Sequence, residues 1–243
     1  MWFRKNNINA DSIEEKLNLN NKQLLQEVRK AYSVTFESHN KDYEANYTIN
    51  KTAIIYYNPT KFSNEGIAHE LLHLWLKTFG GFSSNHIYLA FKSDPKLCLI
   101  FSKELCDHIG NCQDHIKMYP KYIEMGYSPK LFIRDAEKEQ CALNNIRLLS
   151  LDKSNIQSGQ QMDMFIGYLI SIYAHHIKLD YSQHLLLLKQ KDLELFEVVT
   201  EFWQSWEQFD NFNVDPIYNS DFDLYENFIH AMENLVAGRI IKH

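Results

Sequence analysis

The chain has 243 residues, 45% hydrophobic and 14% aromatic, enough to bury one large core or two smaller ones and too apolar for a disordered chain. Its formal net charge of -6, with no basic stripe to neutralise phosphates, argues against nucleic acid and against an acidic membrane surface as partners. The N-terminal stretch MWFRKNNINADSIEE lacks an apolar secretory core, and the longest apolar run, MFIGYLISIYA at 164–174, is roughly half of the ~20 residues a membrane span needs. A cytoplasmic protein away from any membrane is expected, its four cysteines (98, 106, 112 and 141) reading as reduced thiols rather than a disulfide framework.

Residues 12–32 carry Ile13, Leu17, Leu24, Leu25 and Val28 around a polar NLNN interruption, which predicts two short helices or one broken helix. The β-branched and aromatic run YTINKTAIIYYNP, residues 47–59, predicts a strand ending at Asn58-Pro59. A helix should open on Thr60 or Ser63 as N-cap and run to about Thr78, with Gly80-Gly81 as its stop. The short, mixed segment at 83–94, SSNHIYLAFKSD, reads as a small strand. A second long helix should follow, capped by Ser93 or Asp94 with Pro95 in its first turn, and reach about Tyr119, where Pro120 stops or kinks it.

The polar connector DKSNIQSGQQ, residues 152–161, is the best boundary in the chain; it separates a domain over 1–151 from a helical C-terminal region over 162–243. Residues 192–230 contain no Lys or Arg but ten acidic and ten aromatic residues. There Phe196, Val199, Trp203 and Trp206 keep helical spacing, which predicts a core-facing stripe backed by a solvated acidic face. The expected fold class is α+β, predominantly α-helical, with a small sheet.

One segment carries chemistry. GIAHELLHLWL, residues 66–76, sets His69, Glu70 and His73 into an otherwise apolar helix, where unpartnered imidazoles or a carboxylate would be costly. His69 and His73 stand one turn apart, so both rings project from one face toward a common point, as two ligands of a metal do. Glu70 is rotated about 100° from His69, beside such a metal rather than on it. Ordinary hydrogen bonding of two core histidines and a glutamate is the plain alternative.

The His-Glu-x-x-His arrangement at 69–73 resembles the active-site helix of the zincin superfamily of zinc metallopeptidases, and the strand at 47–59 stands where zincins have the strand bordering the substrate cleft. That resemblance implies a zincin-like core over 1–151, a Zn²⁺ cofactor, a protein or peptide substrate, and peptide-bond hydrolysis by a metal-activated water with Glu70 as general base. The metzincin extension would need Gly at 76 and His at 79; Leu76 and Phe79 exclude it.

The third ligand is sought on the second long helix. Its apolar stripe, Cys98, Phe101, Leu105, Ile109, Cys112 and Ile116, is flanked by a polar line of Glu104, His108, Asn111 and His115. His108 and His115 are about two turns, ~10.5 Å, apart, so they cannot serve one metal together. The order of preference is His115, His108, Glu104, because residues 111–127, NCQDHIKMYPKYIEMGY, resemble a stretch of small bacterial zincin-like proteins in which an Asn-x-x-x-His helix precedes Tyr-Pro and Gly-Tyr. Glu137 or Glu139 would instead complete a gluzincin-like set of two histidines and a glutamate. Asn111 is a candidate partner for orienting His115, and Tyr119, Tyr122, Tyr127, Arg134 and His86 are unranked candidates for stabilising an oxyanion.

Two rivals stand beside this reading. Cys106, His108, Cys112 and His115 are four soft ligands in ten residues, but Cys106 lies about 200° around the helix from His108, so they converge only if the helix breaks near Gly110. The other is a non-catalytic zincin-like binding or regulatory protein acting through its acidic aromatic C-terminal helices. His175, His176, His184 and His230 have no ligand spacing and read as structural.

Overall fold

The computed structural model describes residues 11–79, 84–151, 157–210, 212 and 221–242. The fold is α+β and predominantly helical. Packing divides the chain into two compact units, each discontinuous in sequence: residues 1–81 with 118–134, and residues 82–117 with 135–243.

The first unit begins with helices α1 (Asp11–Lys16) and α2 (Leu19–Val28), the broken helix expected from the NLNN interruption. Strands β1 (Ser33–Ser38), β2 (Ala45–Ile49) and β3 (Thr52–Tyr57) follow, then helix α3 (Asn64–Lys77). The sheet has the order β1-β3-β2, with β1 parallel and β2 antiparallel to β3. The single strand expected over 47–59 is therefore a hairpin. Its turn falls at Asn50, which adopts φ 53°, a left-handed conformation that asparagine tolerates better than the β-branched residues around it. Strand β1 was not anticipated, although SVTFES alternates in the required way, burying Val34 and Phe36.

Helix α3 has the start expected of it. The Ser63 hydroxyl accepts from the Gly66 amide at 3.1 Å, satisfying a donor that the first turn leaves over. Ile67, Ala68, Leu71, Leu72 and Leu74 are fully buried against Val34, Phe36, Ala53, Ile55 and Tyr57 of the sheet and Leu24, Leu25 and Val28 of α2. A polar latch fixes its first residue: Asn18 N–H donates to Asn64 Oδ1 at 3.0 Å and the Asn21 amide to the Asn64 carbonyl at 2.8 Å, while Tyr127 donates to Asn21 Oδ1 at 2.7 Å. The stop signal Gly80-Gly81 lies outside the described residues.

The second unit opens with α4 (Ser84–Phe91), a helix where a small strand was expected; Ile87 and Phe91 are buried while Leu89 between them is 63% exposed, a pattern that suits a helix and not a strand, where 87, 89 and 91 would share one face. The second long helix is two. A short α5 (Leu97–Ile100) is started by Asp94, whose Oδ1 accepts from the amides of Lys96 and Leu97 at 2.7 and 2.8 Å. The chain then leaves helical geometry at Phe101 (φ -90°, ψ 85°) and restarts as α6 (Lys103–Glu124), with Ser102 Oγ accepting from the Leu105 amide at 3.0 Å. Pro120 does not end α6: it is exposed inside the helix, where water can serve the carbonyl one turn back.

Beyond these come α7 (Leu143–Leu148), β4 (Gln157–Ser158), α8 (Gly159–Tyr173), α9 (Ser182–Lys191), α10 (Leu193–Gln208), α11 (Asp221–Ala237) and β5 (Ile241–Lys242), with β4 parallel to β5. Of the polar connector 152–161, residues 152–156 lie outside the described residues, while 157–158 form β4 and 159–161 open α8. The division by packing runs through α6 and after Arg134 rather than at this connector. On α10, Val199, Trp203 and Trp206 are buried, Phe196 is half-buried, and Glu194, Glu197, Glu201 and Glu207 are exposed, the stripe and acidic face the spacing predicts. All four cysteines are free; Cys98 is exposed, off the buried stripe to which its spacing had assigned it. Among the described residues no helix is long and apolar enough to cross a membrane.

Candidate metal centre

Helix α3 presents His69 and His73 one turn apart, with His73 buried and His69 and Glu70 half-buried. Their rings meet edge to face with centroids 4.9 Å apart, and the two Nε2 atoms are 3.2 Å apart. Phe132 packs against the other side of His69, at 5.1 Å between centroids, and is held in turn by Tyr119 at 5.1 Å and Tyr122 at 5.0 Å. The His69 ring is thereby confined by apolar neighbours rather than left to choose a rotamer.

His115 comes from α6. That helix runs without interruption from Lys103 to Glu124, so His115 is fixed one turn ahead of Met118, which is buried in the core of the first unit. One ligand atom from each of His69, His73 and His115 lies within 4.8 Å of the others. No other such group of histidine, cysteine or acidic side chains occurs among the described residues.

The donor set fits zinc. Three neutral imidazoles are a familiar three-ligand complement for a catalytic zinc, leaving a fourth position open, and two nitrogens at zinc-ligand distance on a tetrahedron stand about 3.4 Å apart, close to the separation that α3 imposes. Two histidines one turn apart thus hold the edge that a tetrahedral ion needs without any bend in the helix.

The remaining candidates do not join this group. His108 Nε2 is 2.9 Å from Ser171 Oγ, and burial keeps its imidazole below the usual pKa. Glu139 faces His184 at 3.6 Å. Glu104 and Asn111 are exposed. Since α6 is continuous through Gly110, Cys106, His108, Cys112 and His115 are not gathered, and burial pushes the Cys106 and Cys112 thiols up to about 12, far from the thiolate a metal takes. Among the oxyanion candidates, Tyr127 is committed to Asn18 and Asn21, Tyr122 is fully buried, and Arg134 lies over the Tyr43 ring at 5.8 Å. The side chain of His86 lies outside the described residues.

Sequence reasoning missed three neighbours of the motif. Asn46 donates to Glu70 Oε2 at 2.6 Å. Glu44, also beside α3, has its carboxyl raised above the usual range by burial and then by the nearby Glu70 charge. Phe132 backs His69. Only Asn46 left a signal, as a polar residue inside a strand, and that signal does not name its partner. No protein-family model matches the chain, and no curated protein and no solved structure gives a significant match to it.

Proposed function

We propose that the chain is a metal-dependent hydrolase, and specifically a zinc metallopeptidase of the HExxH type cleaving peptide bonds in a protein or peptide substrate. The observation that carries this reading is the convergence of His69, His73 and His115, with Glu70 beside them and outside the ligand set. A purely structural zinc site has no use for a carboxylate next to its ligands.

His69, His73 and His115 would hold the ion through neutral ring nitrogens, a form imidazole keeps at neutral pH. When bound, zinc supplies Lewis acidity, bringing the pKa of water toward 7 and polarising a carbonyl oxygen. Glu70 takes the proton of the attacking water and returns it to the departing amine nitrogen, a shuttle for which a carboxylate with one oxygen held and one oxygen available is suited. Phe132 packs on the His69 ring and limits its orientation.

A non-catalytic protein working through its C-terminal aromatics is less well supported, because Val199, Trp203 and Trp206 are spent on the core. The free thiols fit a reducing, cytoplasmic location, and the acidic charge fits a protein partner better than nucleic acid.

A quenched-fluorescent peptide library incubated with zinc-loaded protein tests the activity. Cleavage by wild type, reduced by about 100-fold or more in Glu70→Gln at unchanged zinc content, is the expected result. Equal cleavage by the two proteins would contradict the role given to Glu70.

A further inference from the structure

Strand β2 is inside out. Asn46 pairs with Ile55, and partners across a ladder share one face of the sheet. Since Ile55 is fully buried, Asn46 points to the core side, while Tyr47 and Ile49, 54% and 55% exposed, point away. A half-buried antiparallel strand normally does the reverse, with apolar side chains in and polar ones out.

The inward polar residues meet α3 in register. Glu44 packs its carboxyl onto Gly66, so that a Cβ there would have to displace the Glu44 side chain, and Asn46 donates to Glu70. Two strand residues advance ~6.6 Å and four helical residues ~6 Å, so positions 44 and 46 match positions 66 and 70 along the two axes. A polar side chain on the core face of a sheet is costly unless it is satisfied, and Asn46 spends its amide on the one residue of the motif that is not a candidate ligand.

We propose that Asn46 is a positioning residue for Glu70: its side-chain amide holds one carboxylate oxygen, fixes the side chain beside the metal-binding face of α3, and leaves the second oxygen free to exchange a proton. The inference rests on the metallopeptidase reading for what Glu70 does, but not for where Glu70 is held. A glutamate has several rotatable bonds, and a misplacement of about 1 Å in a catalytic group is enough to cost 100-fold in rate. Asparagine suits this place better than its isostere aspartate, which has no donor and would add a carboxylate to the two already present, Glu44 and Glu70.

The test uses full-length Asn46→Ala, Asn46→Asp and Asn46→Gln proteins, each loaded with zinc and checked for metal content and thermal unfolding. Asn46→Ala and Asn46→Asp should keep zinc and keep KM within about twofold, while kcat falls by about 10- to 100-fold; Asn46→Gln, which retains the amide, should recover part of the loss. Unchanged kcat in folded, zinc-loaded Asn46→Ala and Asn46→Asp would overturn the proposal.

A second readout does not depend on turnover or on metal. In ¹⁵N-labelled protein, the Asn46 side-chain amide protons should resonate apart from those of exposed asparagines and exchange slowly, and should lose both properties in Glu70→Ala. An Asn46 amide indistinguishable from exposed asparagines in wild type would overturn the proposal. If zinc-loaded wild type cleaves nothing, the metallopeptidase reading fails, and the amide signal still decides whether Asn46 holds Glu70.

Discussion

Which histidine completes the set turns on what each side chain already has to do. His108 is tied to Ser171 and Glu139 faces His184, whereas the ring of His115 lies with those of His69 and His73. The His69, Glu70 and His73 roles were legible because helical periodicity is local: residues one turn apart share a face whatever the rest of the chain does. Preference for His115 rested on resemblance, since nothing in the spacing of the polar line separates 108 from 115. The contact of Asn46 with Glu70 was illegible because the two lie 24 residues apart on different elements.

The cysteines give a second test at this scale. Burial pushes the thiols of Cys106, Cys112 and Cys141 up to about 12, so at pH 8 they are neither accessible nor ionised, while Cys98 is exposed. The thiolate is the reactive form. Titration of native protein with a chromogenic disulfide at pH 8 should count one fast thiol, assigned to Cys98 by peptide mapping, and all four after unfolding. Fast labelling of Cys112 in native protein would contradict the described packing.

At the scale of elements, the sequence marked α3 and its Ser63 cap well, because an N-cap is a side chain bonding to its own neighbours. It failed where long-range contacts override local preference. The hairpin of β2 and β3 reads as one strand in the sequence because the turn contains no glycine, only Asn50 in a left-handed conformation. Helix α4 is hard to tell from a strand in the sequence because eight residues are too few for its period to stand out. The break between α5 and α6 was hidden because Phe101 and Leu105 continue the apolar spacing across it.

A close approach of α5 and α8 has its own consequence. A Cβ at Gly159 would run into the backbone carbonyl of Leu99, which cannot rotate aside, whereas nothing lies near a Cβ at Gly238. Gly159→Ala should therefore cost about 1–3 kcal/mol, and Gly238→Ala little, as read by chemical denaturation. Equal stability of the two variants would show that the helices can separate at no cost.

For the molecule as a whole, composition and periodicity gave the fold class, but not how the chain divides. The compact units interleave along the sequence, with α6 supplying residues to each, and no compositional boundary marks such an exchange in the way a polar connector marks a linker. The proposed centre draws on residues 46 positions apart in sequence, so it needs a fold that is intact. The most direct measurement is metal content by mass spectrometry after reconstitution with zinc and gel filtration. About one zinc per chain is expected in wild type and in Glu70→Gln, with loss of stoichiometric zinc in His73→Ala and in His115→Ala. Wild-type protein that emerges folded and free of zinc, or a His115→Ala variant that retains it in full, would contradict the three-histidine centre.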